Sequence, residues 1–98
     1  MRVIAKKILV EFYTQHADAK SPLEDWYSKV EQAQWSNFSE IKQDFKSVDS
    51  VGNKRYVFNI KGNHYRIVAL ILFVPKTMYI RFIGTHSEYD KIEKIHEI

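Results

Sequence analysis

The middle of the chain combines basic and histidine side chains with a complete lack of acidic ones. Residues 50–87 contain neither Asp nor Glu, whereas residues 1–49 hold seven bases and eight acids. Positive charge concentrated in one segment is typical of proteins that bind polyanions such as nucleic acids. A sheet that carries Lys and Arg on its solvent face is the alternative explanation. The charged bases of the segment are Lys54, Arg55, Lys61, Arg66, Lys76 and Arg81.

Arg66 and Arg81 are the strongest candidates for binding a phosphodiester. A guanidinium group can donate two parallel hydrogen bonds to phosphate oxygens, and it stays charged at any working pH. The alternative for either arginine is an ion pair with a carboxylate from the rest of the chain. Further contacts that add salt-dependent affinity for RNA are expected from Lys54, Arg55, Lys61 and His64.

His86 and Tyr89 are the candidates for proton transfer and base stacking. His86 falls where a predicted strand gives way to a predicted helix, and a histidine exchanges protons near neutral pH. Tyr89 follows three residues later, on the same side of that helix, and offers an aromatic ring and a hydroxyl. The alternatives are a histidine that only hydrogen-bonds the helix start and a tyrosine in the core.

The first half of the chain has the apolar spacing of helices. Residues 1–4 favour a short strand, and apolar residues recur at helical spacing from Ile4 to His16. A second helix is predicted with Ser21 as its N-cap and Pro22 at its first position, and its apolar stripe runs from Leu23 to Ala33. A third, shorter helix covers residues 38–45, and residues 47–53 are predicted to form a connecting loop.

The second half changes to the alternation of strands. Strands are predicted over residues 55–60, 64–73 and 78–83, with turns at Lys61-Gly62-Asn63 and Pro75-Lys76. Thr85 and Glu88 have the spacing of a capping box, which predicts a C-terminal helix that begins near Ser87. Its inward residues are expected to be Tyr89, Ile92 and Ile95.

Turn length decides whether the basic residues share a face of this sheet. With loops of even length, Arg66 lies on the same face as Arg55, Lys61 and His64, and Arg81 joins them opposite Leu70. A loop with an odd number of residues would place these basic residues on different faces of the sheet. The other face, which includes Phe82, is left for the helices to cover. The sequence therefore predicts one α+β domain over residues 1–98, an antiparallel meander with N-terminal helices packed on one face and a short C-terminal helix.

Composition excludes several classes of protein. The chain has 98 residues and no Cys, so disulfides, thiolate metal sites and cysteine nucleophiles are excluded. Neither a signal peptide nor a membrane span is recognisable, and a cytoplasmic protein is expected. The missing carboxylates in residues 50–87 argue against a two-metal nuclease, and no metal or cofactor is expected.

Two stretches, residues 51–66 (VGNKRYVFNIKGNHYR) and residues 79–91 (YIRFIGTHSEYDK), resemble the HigB branch of the RelE-like toxins. The resemblance implies a RelE-like fold and metal-independent cleavage of messenger RNA on the translating ribosome. It also implies neutralisation by a HigA-like helix-turn-helix antitoxin. The cationic and tyrosine positions of RelE-like toxins match Lys54, Arg66, Arg81 and Tyr89. His86 departs from the RelE pattern, because HigB-like members rely more on histidine, and the resemblance leaves the general base unassigned.

The chemistry that the resemblance implies agrees with the residues. Attack of the RNA 2′-hydroxyl on its own phosphate needs a base, positive charge around the phosphorane and an acid for the leaving 5′-oxygen. Two arginines, a histidine and a tyrosine can supply all three. Two other classes stay open at this point: a non-catalytic module that only adheres to RNA or the ribosome, and an interaction protein that docks an acidic partner.

Overall fold

A five-stranded sheet forms the centre of the fold, and the N-terminal helices pack against one of its faces. The computed structural model describes all 98 residues. Of two short 3-10 turns, Ala17–Ala19 joins the first two helices and Ile95–Glu97 follows the last helix. In chain order the strands and helices are β1 Arg2–Ile4, α1 Lys6–Gln15, α2 Lys20–Gln32, α3 Phe38–Asp44, β2 Asp49–Gly52, β3 Arg55–Ile60, β4 Tyr65–Leu72, β5 Thr77–Thr85 and α4 His86–Asp90.

The helices form as their apolar stripes predict, with one difference at the start of α2. Leu23, Trp26 and Val30 are buried at helical spacing and join the core. The helix begins at Lys20, directly after the 3-10 turn, so Ser21 lies inside the first turn and is not the N-cap. Pro22 is still tolerated, because the N–H groups of a first turn have no partner within the helix. No helix is long and apolar enough to cross a membrane.

The strands lie in the order β1-β5-β4-β3-β2. Strands β3 to β5 form the expected antiparallel meander, β2 extends it by one antiparallel strand, and β1 adds a parallel pair with β5, so the sheet is mixed. The prediction of a loop over residues 47–53 is wrong at Asp49–Gly52, because β2 pairs with β3 at the sheet edge. This strand is short and largely exposed, and its polar residues give no alternation that a sequence pattern could reveal.

Both turns have four residues, since Ile60 pairs with Tyr65 and Leu72 pairs with Thr77. Their even length keeps the predicted parity between strands. The second turn comprises residues 73–76 and is centred one residue earlier than predicted, which places Leu70 opposite Tyr79 instead of Arg81. A β-bulge in β5 then changes the parity, because the pairing shifts by one residue between Val68 and Ala69. Arg81 is the extra residue and is exposed.

The bulge reassigns the residues that follow it. Phe82 pairs with Val68 and therefore lies on the same face as Arg66, where the sequence predicted a core position. Ile83 takes its place against the helix-covered core. A bulge adds one residue to one strand, and this exchanges the faces of every residue beyond it.

The C-terminal segment, residues 91–98, covers part of the second face of the sheet, which is the face opposite the N-terminal helices. Helix α4 ends at Asp90, so the prediction that it continues inward through Ile92 and Ile95 is wrong. The segment instead runs back to β2 and β3, where the side chain of Asn53 donates to the His96 carbonyl at 3.0 Å. Val57 and Val68 point to this second face and are buried, as expected for strands that are apolar on both sides.

Candidate active site

The candidate site lies on the second face of the sheet, where β4 begins and β5 ends. Tyr65 pairs with Thr85 here, and Arg66 pairs with Gly84. The turn between β3 and β4 is tied to the start of α4, because the His86 backbone N–H donates to the His64 carbonyl at 3.0 Å. Strand pairing therefore brings the predicted arginine and the predicted histidine to the same end of the sheet.

Arg66 stacks on Tyr89 and has no acidic partner. Its guanidinium carbon lies 4.9 Å from the centre of the Tyr89 ring, which is within the range of a cation–π contact. No carboxylate forms an ion pair with it, so the alternative of a structural ion pair is wrong for this arginine. Its Nε is buried and makes no hydrogen bond within the protein. A buried donor without a partner is destabilising and needs an explanation, and a bound anion is one that fits an exposed end of the sheet.

Gly84, which no sequence pattern marks as a site residue, leaves room for Phe82 and Glu88 beside Arg66. A Cβ atom at this position would lie 2.6 Å from a ring carbon of Phe82 and 2.9 Å from the Glu88 carboxylate. Both distances are shorter than van der Waals contact. A side chain opposite Arg66 would therefore have to displace the Phe82 ring and the Glu88 carboxylate of α4.

Helix α4 begins with the predicted capping box, one residue earlier than expected. The Thr85 hydroxyl accepts from the Glu88 N–H at 3.1 Å, and the Glu88 carboxylate accepts from the Thr85 N–H at 2.8 Å. The bond from the Thr85 N–H holds the pKa of Glu88 below its ordinary value. Because the cap fixes the first turn, His86 is presented at the junction of strand and helix.

His86 is exposed, and its ring makes one polar contact with another side chain. Nδ1 lies 2.9 Å from a carboxylate oxygen of Asp90, one helical turn later. The imidazole borders a shallow depression with Asn63, His64 and Thr85. Asp90 was not among the predicted residues, although its spacing of four from a helical histidine is a signal that could have identified it.

Lys61 does not lie on the basic face, and this prediction is wrong. Its ammonium group is 2.7 Å from the Asp18 carboxylate, which also accepts from the Tyr65 hydroxyl at 2.5 Å. These two bonds, with that from Lys61 the larger, lower the pKa of Asp18 to about 2. Lys61 does not follow the alternation of faces along β3, because it is the first residue of the four-residue turn and has a left-handed φ of 52°.

Arg55 and Lys54 are also not brought to the site. Arg55 lies on the predicted face, but its Nε and Nη2 donate to the backbone oxygen of Ile98 at 3.0 and 2.7 Å. Lys54 is exposed in the turn before β3. Because Asn59 is the β3 residue opposite Arg66, Arg55 is four residues away from that level, or about 13 Å along the strand.

Arg81 lies on β5 three positions before Gly84, or about 10 Å along the strand. It is exposed and forms no ion pair. The structure therefore brings Arg66, His86 and Tyr89 to one end of the sheet, with His64 at the margin and Arg81 about 10 Å along β5. A cation stacked on an aromatic ring, near an acid–base side chain, can bind one link of a polynucleotide and move a proton there.

The chain matches one protein family and is similar to several named proteins. Residues 19–92 match the family described as HigB_toxin, RelE-like toxic component of a toxin-antitoxin system. The mRNA interferase toxin HigB of Escherichia coli K12 and the mRNA interferase HigB of Shigella flexneri are each 31% identical to the chain. In both cases the match covers 98% of this chain and 94% of the relative. The mRNA interferase HigB of Escherichia coli O6:H1 is 29% identical, over 98% of this chain and 95% of the relative. The chain belongs to the HigB family of RelE-like toxins.

Proposed function

We propose that this enzyme is an mRNA interferase that cuts messenger RNA on the translating ribosome, without a metal ion, and so stops translation. The observation that carries the proposal is the state of Arg66, a guanidinium that has no carboxylate, stacks on Tyr89 and keeps a buried N–H without a partner. The relatives named mRNA interferase HigB support RNA as the substrate.

Each residue of the site has a distinct part in the proposed reaction. Arg66 and Arg81 bind phosphate oxygens and stabilise the negative charge of the phosphorane. His86 removes the proton of the 2′-hydroxyl, whose oxygen attacks the adjacent phosphorus. The bond from phosphorus to the 5′-oxygen breaks, and the Tyr89 hydroxyl is the proton donor for that oxygen. The products are a 2′,3′-cyclic phosphate and a 5′-hydroxyl.

Outlying residues have a weaker part in RNA binding. His64 lies at the margin of the site and is placed to contact a neighbouring nucleotide, and Lys54 adds charge at the far end of β3. Arg55 and Lys61 are excluded from this role while they hold the C-terminal segment and Asp18. The proposed partners are ribosome-bound message, the ribosomal RNA around it and a HigA-like helix-turn-helix antitoxin, and the proposed compartment is the cytoplasm.

Primer extension on ribosome-bound message tests this proposal. Wild-type protein is expected to produce new 5′ ends in the message, and Arg66→Ala is expected to lower the cleavage rate by roughly 10²–10³, as the loss of a transition-state donor does. Arg2→Ala removes an exposed arginine from β1 and is the matched control, with cleavage unchanged. Intact message together with a gel shift of RNA would instead identify a non-catalytic RNA-binding module.

A further inference from the structure

Helix α4 carries an acid that the proposed reaction has not used. We propose that Asp90 is the positioning residue of His86: its carboxylate holds the proton of the imidazole on Nδ1, so that Nε2 is left unprotonated and faces the RNA. This inference rests on the proposed function, in which His86 is the general base. It adds a residue that sets the orientation and the protonation pattern of that base without touching the substrate.

The backbone around the pair fixes its geometry. His86 and Asp90 are the first and last residues of α4, so their side chains lie on the same side of the helix, one turn apart. The capping box secures the first turn, and the His86 N–H is bonded to the His64 carbonyl. Nδ1 and a carboxylate oxygen are 2.9 Å apart, which places the two groups in direct polar contact.

The chemistry of the two groups decides which nitrogen carries the proton. A carboxylate can only accept a hydrogen bond, so a neutral imidazole in contact with it must carry its proton on the contacting nitrogen. That nitrogen is Nδ1 here, and Nε2 makes no hydrogen bond within the protein. Nε2 therefore presents a lone pair, which a general base requires. A base that is held by a third group in this way is the pattern of activated catalytic histidines in general.

Burial does not explain the pair. The side chains of His86 and Asp90 are 46% and 57% exposed. An exposed contact of this kind contributes little to stability. A substitution at Asp90 is therefore compatible with folding, and its effect on activity can be measured in folded protein.

Cleavage kinetics on ribosome-bound message test the inference. Asp90→Asn is expected to lower the maximal cleavage rate by about 10–100-fold, the range found when a carboxylate that orients a metal-binding histidine is lost. The half-saturating concentration is expected to stay within about twofold of wild type, because Asp90 does not touch the RNA. Asp90→Glu keeps an anionic acceptor and is expected to recover most of the rate. Glu93→Gln removes a nearby exposed acid and is the control, with the rate unchanged.

Nitrogen NMR of the His86 ring gives a readout that does not depend on activity. Above about pH 8, where an ordinary imidazole is neutral, wild-type protein is expected to show the Nδ1–H form. Asp90→Asn is expected to shift His86 toward the Nε2–H form, because an amide can donate to Nδ1. An unchanged ring, or an unchanged rate beside an inactive His86→Ala, overturns the inference and leaves the proposed function intact. A fully active His86→Ala overturns the role of His86 itself.

Discussion

Replacing Arg66 with Met is expected to stabilise the protein while it abolishes cleavage. The substitution removes a buried N–H that has no partner, which recovers about 1–3 kcal/mol of desolvation cost. It also removes the cation–π contact with Tyr89, which is worth about 0.5–1 kcal/mol at a partly exposed site. A Met sulfur against the same ring replaces about 0.3–1.5 kcal/mol of that contact.

The net expectation is a gain of about 2 kcal/mol, taken from the midpoints of these contributions. In a domain of this size such a gain raises Tm by at least about 4 °C. Urea unfolding is the assay, with an increase in the midpoint at constant m-value as the sign of greater stability. A primer-extension assay on the same preparation reports the loss of cleavage.

Arg55→Met is the matched control, because Arg55 lies on the same face but is fully engaged. Its guanidinium donates twice to Ile98 and once to the carbonyl of Asn53 at 2.9 Å. Loss of these bonds is expected to cost about 1–3 kcal/mol. If Arg66→Met destabilised the protein as much as Arg55→Met does, Arg66 would be a structural residue, and the reasoning that assigns it to a ligand would be refuted.

Three further substitutions test other parts of the site. Arg81→Ala is expected to relieve growth arrest in cells while unfolding stays unchanged, since the side chain is exposed and unpaired; full toxicity would contradict its role. Gly84→Ala is expected to lower stability by about 1–3 kcal/mol in urea, because the new methyl overlaps the Phe82 ring. Asp18 has its pKa lowered from 3.8 to about 2, so the stability from its pairing with Lys61 is present above pH 3.8 and is lost as the pH falls through 2. Acid unfolding of Asp18→Asn is expected to lack this dependence, and an unchanged profile would show that the pair contributes nothing.

The sequence predicts most of this fold because its strongest signals are local. The capping box at Thr85 needs only two residues at fixed spacing, and it forms as predicted. Arg55 and Arg66 share a face of the sheet whenever the turn between their two strands has an even number of residues. A turn of two residues and a turn of four residues therefore give the same prediction. Signals of this kind predict the structure correctly because they depend only on residues that are close together in the sequence.

The features that the sequence does not predict depend on distant contacts. The bulge at Arg81 is one extra residue in a strand, and no residue type announces it. Strand β2 is visible only through its pairing with β3. Lys61 joins Asp18 across 43 positions of the chain, and Arg55 joins Ile98 across the same separation. Long-range pairings of this kind follow from the tertiary structure and cannot be read from periodicity.

These long-range pairings also change the interpretation of residues 50–87, the segment without Asp or Glu. Arg55, Lys61 and Lys76 bond to oxygens of the chain itself, the last to the carbonyls of Gln34 and Trp35. Half of the positive charge in residues 50–87 thus fastens the C-terminal segment, a turn and the loop after α2 to the sheet. The other half has no internal acceptor. Because strand pairing places Arg66 of that remainder near His86, and Arg81 stays exposed on the neighbouring part of β5, the lack of acids serves folding at one group of sites and leaves an anion site at another.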